Sequence, residues 1–176
     1  NVDCFFTAEI SAIRTAVGRL PAARLPWSES ESVDLIDQGN RLIACFTNWL
    51  LDDEQMQILN MQPRQLFILY AGAYLSDIGL TDSSGFSSAA FDRHLHARSA
   101  ELIRHNWHDL GIADAALADI VAGVCLMAGN QGQDDPSLVS IDGDVVNLPL
   151  LAACLQLGRA LDLASAITLA QVCQYL

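Results

Sequence analysis

Apolar residues recur at helical spacing along most of this chain, and Pro and Gly fall between the runs. That pattern leaves little room for anything except packed helices. Ile10, Ile13, Val17 and Leu20 mark a first short amphipathic helix closed by Pro21. Pro26-Trp27-Ser28-Glu29-Ser30-Glu31 reads as a helix start, with Ser28 as cap and Glu31 at the capping-box position. The helix that follows is expected to run to about Leu51, with Val33, Ile36, Ile43, Phe46 and Leu50 on its apolar stripe. A short helix is expected from Asp52, and Pro63 opens a very apolar one ending at Leu75.

After a polar loop at residues 79–88, Ser87 or Ser88 is expected to cap a helix running to Leu110 and stopped by Gly111. Asp114 starts another that ends near Gly129. Residues 139–147 alternate around Asp142-Gly143, a hairpin signal. Pro149 begins a helix to Leu161, and Ser165 a last one. The expectation is an all-α domain of seven or eight helices with one small β-hairpin.

The totals limit the function classes. A chain of 176 residues with 52% hydrophobic and 17% charged content buries a real core as one domain, 1–176. Its net charge of -12 repels phosphate backbones, so nucleic acid and anionic membranes are not expected partners. No apolar run reaches the roughly 20 residues that a bilayer requires, and no signal peptide is visible. The five cysteines form no CxxC pair and read as reduced, buried thiols of a cytoplasmic protein. The chain opens without Met and stops within a helical pattern, so it reads as part of a longer protein.

Three blocks resemble the HD phosphohydrolase superfamily, and more narrowly a bacterial branch of it. The first is Leu69-Tyr70-Ala71-Gly72-Ala73-Tyr74-Leu75-Ser76-Asp77-Ile78-Gly79. The second, from His94-Leu95-His96-Ala97-Arg98-Ser99-Ala100, is similar to a His-x-x-Arg-Ser-Ala helix start. The third runs from Ile141-Asp142-Gly143 through Leu148-Pro149-Leu150-Leu151 to Gly158-Arg159-Ala160-Leu161-Asp162. The resemblance implies a helical HD-like core over residues 28–170, preceded by a helical extension at 1–25.

It also implies a divalent-metal site, and there this sequence departs from the pattern. The family's early His falls near Gln38–Arg41, where no His stands. The His of its His-Asp pair is Ser76, while Asp77 is kept. The next His is matched by His96, less well by His94. A fourth falls near Met127-Ala128, and the closing Asp falls on Arg159. A permanent cation at a ligand position repels a metal, and Arg159 is expected to pair with Asp77 instead.

Ser76, Asp77, His96, Met127 and Arg159 are therefore the candidate pocket residues, with no catalytic residue, no metal and no cofactor expected. The resulting expectation is a catalytically inactive regulatory, sensory or scaffolding domain in a bacterial signalling protein. Its partners would be another domain of the same protein, a second copy, or a small anionic ligand.

Two alternatives follow from the same residues. One is an active phosphohydrolase holding Mn or Mg through Asp77 and His96, helped by His94 or Asp162. The other is an unrelated helical interaction domain. The His94, Arg98, Glu101, His105 stripe reads as a solvated helix face. Asp134-Asp135 and Asp142/Asp144 read as turns, because the twelve-residue Ca²⁺ loop pattern is absent.

Overall fold

Pro63 fixes the first turn of the helix that the rest of the domain surrounds. In a computed structural model, which describes residues 6–24, 32–50, 61–82, 91–129, 138–141 and 143–174, this helix is α3, Pro63–Leu75. Side chains are described for these residues except 24, 49, 50, 82, 91–93 and 163–174. Pro63 lacks the N–H that a first-turn position would leave unbonded. Gln65 closes the entry by accepting from the Gln62 N–H at 3.1 Å. Nearly every later residue of α3 is buried, including Leu66, Phe67, Ile68, Leu69 and Leu75. A helix apolar on all sides has to be central, and α3 packs against four others.

Those neighbours are α1 (Thr7–Val17), α2 (Leu35–Cys45), α5 (Ala115–Ala128) and α6 (Leu148–Gln174). α4 (Phe91–Asn106) lies on α5 and on the 3₁₀ turn Ile78–Asp82 that follows α3. The Phe6 and Phe67 rings pack at a tilt of 47° with centroids 5.1 Å apart, tying the α1 end to α3. The fold is all-α with six described α-helices, and no described helix is long and apolar enough to cross a membrane.

The expected hairpin is present as β3 (Leu138–Ile141) and β4 (Asp144–Asn147), paired antiparallel with Ser140 opposite Val145. Gly143 takes φ +88°, which side-chain-bearing residues rarely adopt. The Arg64 guanidinium donates to the Ile141 carbonyl at 3.1 Å and Gln65 Nε2 to the Val145 carbonyl at 3.0 Å, holding the hairpin to the start of α3.

Four boundaries differ from the sequence expectation. α2 begins at Leu35, because the Asp34 carboxylate accepts from the N–H groups of both Ile36 and Asp37 at 3.0 Å. Such a cap contributes about 1 kcal/mol. Val33 belongs instead to a two-residue strand, β2 (Ser32–Val33), paired with β1 (Ala23–Arg24). α2 then passes into a π-helical turn, Phe46–Leu50.

α4 stops at Asn106 rather than Leu110. The chain closes through Gly111 at φ +76°, with the Ile112 N–H donating to the Trp107 carbonyl at 3.0 Å. Finally, α6 is one helix where two were expected. Residues 161–165 contain neither Pro nor Gly, so nothing interrupts it and Ser165 is not a cap. The expected starts at Ser28, Asp52 and Ser87 or Ser88 lie outside the described residues, as does Asp142.

Candidate functional site

The turn after α3 delivers Asp77 to the meeting point of three other helices. Its carboxylate is 4% exposed by residue and is satisfied on both oxygens. Arg159 Nη2, from α6, donates to Asp77 Oδ1 at 2.5 Å. Gln38 Nε2, from α2, donates to Asp77 Oδ2. The same guanidinium reaches α4, where Arg159 Nη1 lies 3.1 Å from His96 Nε2 and 3.4 Å from Nδ1. One cation thus touches a carboxylate on one element and an imidazole on another.

Two small residues make these approaches possible. An added Cβ on Gly129, at the end of α5, would sit 2.3 Å from His96 Cδ2. An added Cβ on Gly158, beside Arg159, would sit 2.3 Å from Cε1 of the fully buried Phe46. Both glycines let a helix come close enough to place its neighbouring side chain. The Phe46 ring that fills the second gap opens the π-helical turn, a distortion often found near functional sites.

Behind the pair stands Cys125 of α5. Burial pushes its thiol up to about 12; the nearby Asp77 charge adds to the rise and Arg159 opposes it. A thiol held neutral at that level is not a nucleophile near neutrality. Among the described residues, the buried atoms Gln38 Oε1 and Ser76 Oγ find no hydrogen-bond partner. Ser76 is completely buried next to Asp77. Such unsatisfied groups cost about 1–3 kcal/mol each.

The structure therefore brings Asp77, His96 and Arg159 into one network, with Ser76 adjacent. The polar contact of Met127 is at its backbone, outside that network. Gln156 Nε2 donates to the Ala128 carbonyl at 3.0 Å and lies 3.5 Å from that of Met127, which ties α6 to the end of α5. Asp162 faces elsewhere and accepts from Arg41 Nε at 2.9 Å on the outer α2–α6 seam, where Arg41 also pairs with Asp37. Asp162 raises the Arg41 pKa through this hydrogen bond. His94 is exposed. Arg98 and Glu101 pair at 3.3 Å on the outer face of α4, and His105 Nδ1 lies 2.8 Å from the Glu101 carbonyl. No group of three or more His, Cys, Asp or Glu among the described residues is arranged to hold a metal ion.

Gln38, Cys125 and Gly129 were not among the residues expected at the site. Gln38 carried a signal, because it stands where the early His of the resemblance falls. Gly129 and Cys125 carried none beyond their places near the end and the middle of α5.

The family model for HD-CE matches residues 20–166. The chain belongs to the HD-CE family, and HD-CE is HD-domain-like. The matched span takes in Gln38, Ser76, Asp77, His96, Met127 and Arg159, and begins after α1. No curated protein and no solved structure matches the chain.

Proposed function

We propose that this HD-CE domain does no metal-dependent hydrolysis and works as a regulatory, sensory or scaffolding module. The observation that carries the reading is the Arg159 guanidinium lying on both Asp77 and His96. A divalent metal needs carboxylate and imidazole donors pre-placed around an open point. Here both donors face a guanidinium cation. Ser76 and Met127 occupy positions that the resemblance assigns to further ligands. This donor set does not fit a divalent metal, so no catalytic step follows from it.

The same geometry weighs on the choice of ligand. A small anion has to compete with Asp77 for Arg159, and the surrounding chain carries a net charge of -12. Contacts with another domain or a second copy therefore belong to the outer surface. Leu138 and Val145 on the hairpin are each 57% exposed, and Leu157 on α6 is 46% exposed. Large exposed apolar side chains are what a partner covers.

The test is hydrolysis of phosphomonoester and phosphodiester panels with Mn²⁺ or Mg²⁺ present. The expected result is no turnover above the protein-free rate. Turnover that disappears in Asp77→Ala would establish the competing reading, an active phosphohydrolase using Asp77 and His96.

A further inference from the structure

We infer that the pocket around Asp77 is a binding site for a guanidinium-type cation, filled from within the chain by Arg159. The inference rests on the reading of this pocket as one that a fixed cation closes. What it adds is the chemical class of that cation and the claim that the receptor outlasts its tethered occupant.

Three features point to a flat, many-donor cation rather than a point charge. First, the groups that meet the cation are spread out. Asp77 Oδ1 meets one terminal nitrogen of Arg159 at 2.5 Å, and His96 meets the other at 3.1 Å. A metal ion or an ammonium group needs its acceptors to converge on one centre. Second, the receptor is built by other residues. Gln38 fixes the second carboxylate oxygen, and the bare Gly129 lets the His96 ring take its place. Neither contact involves Arg159, so both are expected to remain when Arg159 is shortened. Third, two acceptor atoms, Gln38 Oε1 and Ser76 Oγ, are buried without a hydrogen-bond partner. A free guanidinium ion, released from the geometry of the α6 backbone, has one more N–H than Arg159 to direct at them. In the native chain the tether holds Arg159 at a high effective concentration, so free cations do not enter.

The experiment uses the full chain carrying Arg159→Ala, with guanidinium chloride at low millimolar concentration as the probe. Removing one partner of a buried pair is expected to lower Tm by about 10 °C. Guanidinium is expected to restore several degrees along a saturating curve, as a ligand binding the native state does. Neither the unaltered chain nor the Arg159→Ala, Asp77→Asn double variant should gain stability, since guanidinium only denatures a protein that lacks the vacant site. No saturable gain in Arg159→Ala overturns the inference. A gain with Mn²⁺ or Zn²⁺ in place of guanidinium also overturns it.

If Arg159→Ala does not fold, Arg159→Lys decides the matter. Lysine keeps the charge but presents a single nitrogen, so a Tm clearly below that of the unaltered chain is expected. A Tm equal to it shows that any cation suffices and refutes the assignment. Metal bound stoichiometrically by the unaltered chain would defeat the proposed function, whereas absence of guanidinium rescue defeats this inference alone.

Discussion

Removing Arg159 and removing Asp77 are not equivalent perturbations, and the structure gives the order. The Asp77 side chain is 6% exposed and that of Arg159 is 23% exposed. Arg159→Met preserves volume and deletes the cation. The carboxylate then stays inside with only the Gln38 donor, a loss of about 3 kcal/mol on the scale of a broken buried pair. For a chain of this size that corresponds to a Tm fall of about 6–12 °C. Asp77→Asn leaves a guanidinium that can turn toward solvent on its long stem, and the expected cost is about half as large. The double variant buries no unpaired charge. It is expected to be less destabilised than the two single effects combined, with a coupling of about 1–3 kcal/mol. The assay is urea unfolding of the four proteins at neutral pH, read as a double-mutant cycle. Additive effects would refute the reasoning, because they would mean that the two side chains do not interact in solution. A larger loss for Asp77→Asn than for Arg159→Met would refute the burial argument on its own.

Two further expectations concern the walls of the site. Gly129→Ala forces a Cβ to within 2.3 Å of the His96 ring, and Gly158→Ala does the same against Phe46. Each is expected to cost about 1–3 kcal/mol in urea unfolding, and a loss under 0.5 kcal/mol for either would show that the helices approach less closely than described. Cys125 supplies a pH dependence. Its folded value of about 12 lies above the ordinary 9.0, so the folded state holds the proton more tightly. The stability from keeping this thiol neutral is fully present below pH 9 and declines as the pH rises from there toward 12. Alkylation of Cys125 by iodoacetamide, followed by peptide mass spectrometry at pH 8, is expected only after unfolding, and rapid labelling of the native chain would contradict its burial.

Much of the helical framework was legible because local signals agreed with tertiary packing. Pro63, Asp114 and Gly143 each start or close an element through backbone chemistry that neighbouring residues determine. The misread boundaries are places where a local signal lost. Val33 was expected on the helix stripe, yet it lies in a strand and the helix begins only where Asp34 caps it with a carboxylate that takes two N–H groups. Ser165 looked like a cap, but with no helix breaker before it α6 simply continues.

The site was legible only through the resemblance. Asp77 and Arg159 are 82 positions apart, and His96 and Arg159 are 63 apart. No periodicity relates such pairs, and only the order of the three blocks placed them together. Gln38 and Gly129 stayed hidden for a different reason. A glutamine or a glycine in a helix has many ordinary uses, and its part here depends on the side chain that arrives from another element.

On the proposed reading, Arg159 closes this HD-CE site to metal. That reading is tested most directly by elemental analysis of the purified chain after incubation with Mn²⁺, Fe²⁺, Mg²⁺ and Zn²⁺ and removal of the excess. No stoichiometric metal is expected under any of these conditions. A metal content near one or two per chain, lost in Asp77→Ala, would contradict it.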